Sequence, residues 1–319
     1  MGRKSTGMTA ALLLCVTLVF ACGISRAEQE PARFFLMGSG KLHLKNLRNN
    51  EAAQVSLLNA DGSFNEEAFT QVDRVFGYPT AEMGDHISPR LLFMLSYFAD
   101  QVAPGRLITI ESGYRSPDYN EKLREKGANA ARTSTHIDAL ALDFLIEGVD
   151  GKKLWETVRE TNCCGVGHYG GDSIHLDAGR PRFWEAATSG TGSKEPDYNR
   201  HIYLSTDFDR YPRQAPIRLI LSGISTFGFG FVPEAFLYGV NDPEKPAARM
   251  RIAGGGSADC RVIADSKAAR FLLSTLPSDL PAGRYRIQLQ FCRQPFAQMP
   301  TEIFTREIEV FETAPDAGS

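Results

Sequence analysis

The sequence predicts an α+β domain followed by an all-β domain, with a polar linker between them. Three observations carry this. Between residues 28 and 186, stretches with apolar residues at helical spacing alternate with short apolar strands. Residues 187–197 read ATSGTGSKEPD, a Gly/Ser/Thr-rich composition suited to a flexible linker. From residue 198 to 319 the signals are almost entirely β. A chain of 319 residues is long enough for two ordinary domains.

In GSFNEEAFTQVDRVFG, Ala68, Phe69, Val72, Val75 and Phe76 recur at helical spacing, and Gly77 ends the run. SPRLLFMLSYFADQVAPG opens with Ser88 as cap and Pro89 at the first helical position, and Leu91, Leu92, Leu95, Phe98 and Val102 share a face. RLITIESGYRSP is a strand running into a turn, and SPDYNEKLREKG repeats the Ser-Pro start and stops at Gly127. ALALDFLI is a strand, DGKKLWETVRE a helix, and GVGHYGGDSIHLDAG a glycine-rich turn entering another strand. Farther on, GRYRIQLQF sends Tyr285, Ile287, Leu289 and Phe291 one way and Arg284, Arg286, Gln288 and Gln290 the other. With APIRLILSGIS and REIEVFE as further strands, this part is predicted to form a β-sandwich, an immunoglobulin-like one among the candidates.

The N-terminus has a different character. Arg3 and Lys4 precede the apolar run MTAALLLCVTLVFAC, and Ser25 and Ala27 suit cleavage after Ala27, so residues 1–27 are expected to be a secretory signal. The competing expectation is a lipoprotein signal with Cys22 lipidated, which the bulky Phe20 disfavours. No later segment approaches the roughly 18 apolar residues of a membrane span. Cleavage takes three of the 35 basic residues and none of the 38 acidic ones, changing the formal charge from −3 to −6. With no basic stripe, nucleic acid is not expected as a partner. Four cysteines then remain, free to oxidise outside the cytoplasm. Cys260 is expected to pair with Cys292, whereas the adjacent Cys163 and Cys164 are not expected to bond each other.

Asp143 is the awkward residue. It lies in an apolar strand, where an isolated carboxylate is costly unless a cation or hydrogen bonds compensate it. Strand alternation puts Asp143 on a face with Ala139, Ala141 and Leu145, and His175 on a face with Ser173 and Asp177. If the two strands are neighbours, Asp143 and His175 converge, and His136 reaches the same point from the loop before. Two histidines and a carboxylate with one position open are the ligand set of a catalytic zinc site. Spacing alone also allows a plainer arrangement, with hydrogen-bonded histidines and Asp143 paired with an arginine.

Three segments carry a resemblance: SGYRSPDYNEKLR, STHIDALALDF and GVGHYGGDSIHLDAGRPRFW, in this order. Together they resemble the zinc D,D-peptidase superfamily of D-alanyl-D-alanine carboxypeptidases, dipeptidases and the hedgehog signalling domain. Within it they are most similar to the periplasmic murein endopeptidase K type, over residues 34 to 185 and including ISPRLL. The family pattern S-x-H-x-x-G-x-A-x-D falls on Ser134, His136, Ala139, Ala141 and Asp143, with Ala139 where the family usually has glycine.

The resemblance implies a small antiparallel sheet flanked by helices, and zinc held by His136, Asp143 and His175. It implies that Asp172, three residues before His175, is the general base, with a turn-capping role as the alternative. Asp177 is the rival base or a partner that orients a ligand histidine. Arg115 would clamp a carboxylate or steady an oxyanion, or else form a structural ion pair. His168 would approach the metal or substrate, or keep a supporting role. Tyr114, Trp155 and Trp184 read as packing or rim residues, and His43, His86 and His201 match no motif.

The expected activity is that of an exported zinc metallopeptidase cutting D,D or L,D peptide cross-links of peptidoglycan. The alternatives are a D-alanyl-D-alanine carboxypeptidase or dipeptidase, or a non-catalytic wall-binding protein that keeps the zinc fold. The C-terminal part could dock to the wall, bind a regulatory protein or shield the site.

Overall fold

The computed structural model describes residues 1–2, 32–128, 130–189, 196–254 and 259–312. The expected signal segment, with its cut after Ala27 and with Cys22, lies outside the described residues, as does the middle of the linker, 190–195. Among the described residues, no helix is long and apolar enough to cross a membrane.

The N-terminal part is built on β1 (Lys41–Asn46), β2 (Ala52–Ser56), β3 (Ile108–Ser112), β4 (Ala141–Ile146), β5 (Gly165–His168), β6 (Ile174–Asp177) and β7 (Arg182–Glu185). They form one sheet in the order β2-β1-β3-β4-β6-β5-β7. This sheet is larger than expected and mixed, since β1 runs parallel to β3 and β5 parallel to β7. The first parallel pair follows from a crossover through helices, the connection that parallel neighbours require. The second arises because β6 inserts between β4 and β5, which leaves β7 the outer edge of β5.

Five helices accompany the sheet: α1 (Glu66–Phe76), α2 (Thr80–Met83), α3 (Pro89–Val102), α4 (Pro117–Glu125) and α5 (Gly151–Glu160). Their starts obey the expected chemistry. Ser88 accepts from the Leu91 N–H, Ser116 from Tyr119 and Asp150 from Lys153, and Gly77 closes α1 at φ +68°. Leu44, Ile110, Leu142, Phe144, Val166 and Leu176 share one core with Phe69 and Phe76 of α1, Leu91 and Leu95 of α3, and Leu154 of α5. Alternation along the strands then commits Asp143, Gly167 and His175 to the opposite pleat, and a register shift between Ile110 and Ser112 brings Ser112 opposite Asp143.

Two expectations need correction here. The strand in ALALDFLI starts only at Ala141, because Ala139 adopts φ +58° in the preceding turn and shares no strand face with Asp143. The segment GVGH is a strand, β5, and not part of the glycine-rich turn.

The C-terminal part contains β8 (Tyr203–Thr206), β9 (Arg210–Pro212), β10 (Pro216–Ser222), β11 (Phe229–Gly239), β12 (Asp242–Arg251) and β13 (Arg261–Ile263). The short α6 (Ser266–Arg270) follows, then β14 (Leu272–Thr275), β15 (Gly283–Arg293), β16 (Glu302–Phe304) and β17 (Ile308–Phe311). One sheet has the order β14-β10-β8 and the other β12-β11-β15-β17-β9, with β13 added to β11 and β16 to β15. Leu204, Leu219, Phe231, Leu237, Ile287 and Leu289 from both sheets meet in a second core.

Cys260 is bonded to Cys292 as expected. Cys163 and Cys164 are also bonded to each other, against expectation, in the turn between α5 and β5. The seam between the two parts combines an aromatic contact, Phe208 against Phe34 and Phe64, with polar bonds. Asp85 accepts from Arg218 at 2.9 Å and from Arg270 at 2.7 Å, Arg90 is ion-paired with Asp209, and Asp138 Oδ2 accepts the Gly223 N–H at 3.0 Å.

Candidate metal centre

Strand register assembles the site. Ser112 lies opposite Asp143, Asp143 opposite His175, His175 opposite Gly167 and Gly167 opposite Trp184, one row across five strands. His136 enters from the turn before β4, where the Arg115 and Ala139 N–H groups both donate to its carbonyl. One ligand atom from each of His136, Asp143 and His175 lies within 4.8 Å of the others, and all three side chains are buried.

The hydrogen bonds fix which atoms face the centre. His136 Nδ1 donates to the Gly113 carbonyl at 2.7 Å, which leaves the Nε2 lone pair directed inward, 3.2 Å from Asp143 Oδ1. His175 Nε2 lies 2.8 Å from Asp177 Oδ2, and its Nδ1 lies 2.9 Å from Asp143 Oδ1. Two imidazole nitrogens and one carboxylate oxygen, each ring held from behind by a backbone carbonyl or a carboxylate, fit a zinc ion with one position open.

Electrostatics agree with that fit. Burial lowers the pKa of His136 and favours the neutral, ligating form. Burial also opposes charge on His175, but its hydrogen bonds to Asp143 and Asp177 outweigh this and raise its pKa. Asp143 is held well below the usual carboxylate range, because the two histidines overcome the burial that opposes ionisation.

Asp177 is fully enclosed. Its oxygens accept from His175, the Gly179 N–H and both terminal nitrogens of Arg182. Burial opposes its charge, but Arg182 and His175 bring its pKa down to about 2. This carboxylate therefore holds the Nε2 side of the His175 ring. Room for it comes from Gly165, where a Cβ would stand 2.2 Å from the Asp177 carboxylate. Gly167 does the same for Trp184, whose indole atoms lie 2.4–2.6 Å from where a Cβ would be. Trp184 thereby rests against His175, with ring centroids 5.1 Å apart. The two glycines of GVGH are the floor of the site.

Arg115 is buried, with Nη2 donating to Asp143 Oδ2 at 2.6 Å and Nε to Ser112 Oγ at 2.9 Å. The plainer expectation, an arginine compensating Asp143, therefore coexists with the ligand cluster. His168 points away from the site: it pairs with Ile174 across the strand, bonds the Gly171 carbonyl and lies 6.4 Å from Trp155. Asp172 lies exposed in the turn between β5 and β6 with its backbone against Gly151, and among the described residues no hydrogen bond joins it to the cluster.

In front of the cluster is a pocket of about 260 Å³, whose walls include Arg115, Tyr169, Arg182 and Trp184. Tyr169 is the functional candidate that the sequence reading passed over. Its phenol pKa is pushed up to about 12, by burial first and by the charge of Asp143 second, so it stays a hydrogen-bond donor. Its only sequence signal was its place beside His168 at the end of β5.

Comparison with known proteins agrees with this geometry. A family model described as peptidoglycan L,D-endopeptidase MepK (Peptidase_M15_2) matches residues 37–184, from before β1 to Trp184 in β7. The chain is 28% identical over 144 residues to the peptidoglycan L,D-endopeptidase MepK of Escherichia coli strain K12, covering 45% of this chain and 79% of that protein. The protein of the same name from Shigella flexneri gives the same figures. A probable peptidoglycan L,D-endopeptidase MepK of Haemophilus influenzae is 35% identical over 79 residues, 24% of this chain and 42% of that protein.

Proposed function

We propose, for a chain whose residues 37–184 belong to the Peptidase_M15_2 family of the zinc D,D-peptidase superfamily, the activity of a peptidoglycan endopeptidase, with the L,D cross-link of its namesake relatives as the bond cut. The observation that carries this is the buried convergence of His136, Asp143 and His175 at the back of an open pocket. Those three residues would hold zinc, which supplies a Lewis acid and a water acidified towards neutral pH.

The chain's own residues do the rest. Arg115 and Tyr169 offer N–H and O–H donors at the pocket wall, where negative charge develops on a scissile carbonyl oxygen. Asp177, held by Arg182, keeps the His175 ring in place. We assign the proton-accepting role to Asp172 on its offset from His175. It reaches the pocket only if the turn at Gly170 and Gly171, at φ +95° and +63°, folds inward.

Export follows from the N-terminal signal pattern together with a wall substrate, cleavage after Ala27 being preferred to lipidation at Cys22. We read 28–186 and 198–319 as two domains, the second an immunoglobulin-like sandwich. Support comes from its strand order, from the parallel pairing of β17 with β9, and from Tyr285, whose hydroxyl donates to the Pro281 carbonyl at 2.8 Å in the manner of a tyrosine corner.

Digestion of a defined cross-linked muropeptide, followed by mass spectrometry, tests the activity. Monomers cut at the L,D bond are expected. Release of free D-alanine alone would make the protein a carboxypeptidase, and an untouched substrate would remove the enzymatic reading.

A further inference from the structure

Between the two parts of the chain lies a cleft of about 840 Å³, larger than the metal pocket. Its C-terminal wall carries Arg284 and Arg286 from the exposed face of β15 and Arg306 from the segment before β17. One carboxylate, Glu307, lies among them, 3.4 Å from Arg284 and 3.5 Å from Arg286. Arg306 donates to the Asn162 and Cys163 carbonyls of the opposite wall. The cleft's other acid, Asp209, is ion-paired with Arg90. The arginines therefore outnumber their acids, and each guanidinium has five N–H groups to distribute.

Phe35 and Phe304 flank this cationic wall, each 40% exposed, with Arg284 over the Phe35 ring at 5.3 Å. Exposed aromatic rings beside arginines suit a ligand with apolar sugar faces and carboxylates. The loop from Ala178 to Arg182 separates the two cavities: Gly179 and Pro181 line the cleft, and Arg182 lines the metal pocket. A polymer passing the catalytic pocket thus meets the cleft within one loop's width.

We propose that this cleft is a second binding site for peptidoglycan, in which the arginines take the free carboxylates of stem peptides and the two phenylalanines stack on the attached glycan. The proposal rests on the peptidoglycan reading of the metal pocket and adds to it the part of the substrate remote from the cut. Guanidinium forks match carboxylates in a bidentate way that lysine does not reproduce.

The test uses the full chain with Arg284→Gln, Arg286→Gln and Arg306→Gln combined, and in parallel Phe304→Ala, which leaves the charge intact. Binding is measured to intact sacculi and to glycan strands stripped of stem peptides, and hydrolysis is measured on a small cross-linked dimer. The triple variant is expected to bind sacculi at least roughly tenfold more weakly while cleaving the dimer at the wild-type rate. Phe304→Ala is expected to weaken binding less, and stripped strands to bind poorly to the wild type.

Sacculus binding unchanged in the triple variant would overturn the proposal, as would stripped strands binding as tightly as sacculi. Failure of the wild type to cut the dimer would sink the peptidase reading instead, while the sacculus measurement still decides the cleft.

Discussion

His175 Nε2 stands 2.8 Å from Asp177 Oδ2, and every other approach to that carboxylate is taken by Arg182 and the Gly179 N–H. The ring is thereby clamped with Nδ1 towards Asp143. Asp177→Asn keeps the size of the clamp but removes its charge. Zinc affinity is expected to fall by about 10–100-fold, the usual cost of losing such a partner, in competition against a chromophoric chelator. An unchanged affinity would show that the Asp177 contact does not govern the ligand.

Ala139 is buried at φ +58°, a region that costs a non-glycine residue about 1–2 kcal/mol. Glycine removes that cost and gives back part of it through the greater freedom of the unfolded chain. Ala139→Gly is expected to raise stability by roughly 0.5–1 kcal/mol in denaturant titration, with zinc content unchanged. Destabilisation by the glycine would contradict the strained turn.

Asp138 is partly buried against the C-terminal part, and burial pushes its pKa up to about 6 despite the bond from the Gly223 N–H. A carboxyl whose pKa is raised in the folded state holds its proton there after the unfolded chain has lost it. Its contribution to stability is full below about pH 4 and is lost as pH rises through about 6. Asp138→Asn lacks this titration. The stability of the wild type relative to the variant is expected to decline between those pH values, and parallel curves would refute the shift.

Arg270 joins Tyr78 and Asp85 across the seam, both at hydrogen-bond distance. Deleting it leaves Asp85 with Arg218 and the Tyr78 hydroxyl, and a partly buried ion pair broken on one side costs on the order of 3 kcal/mol. Arg270→Ala is expected to lower the midpoint of chemical unfolding accordingly. Wild-type stability in this variant would mean that the seam's ion pairs contribute nothing.

Asp172 and Tyr169 are separable by kinetics. With Asp172 as base, Asp172→Asn lowers kcat by about 10² or more at unchanged zinc content, while Tyr169→Phe, which keeps the ring, has the smaller effect. The reverse order would move the proton-handling role to the pocket wall.

The convergence of Asp143 and His175 was legible because Leu142 and Phe144 in one strand and Ile174 and Leu176 in the other belong to the core, which leaves Asp143 and His175 on the opposite face of neighbouring strands. The Ser-Pro helix starts were legible because a cap bonds an N–H only three residues on. What escaped depends on distant partners or on backbone angles. Nothing local ties Arg115 to Asp143, 28 residues on, or Asp85 to Arg218, 133 residues on. Gly165 and Gly167 look like turn residues until the side chains above them are placed. Ala139 was visible as a departure from the family pattern, but the reason a glycine belongs there is its positive φ, which spacing does not display.

The central claim, a zinc-dependent peptidase centred on His136, Asp143 and His175, is tested most directly by one titration. Protein stripped with a chelator is titrated with zinc while cleavage of a cross-linked muropeptide is followed. Activity is predicted to be absent at the start and to rise to a plateau at about one ion per chain. Full cleavage by the stripped protein, or a bound ion with no cleavage at any ratio, would contradict the account.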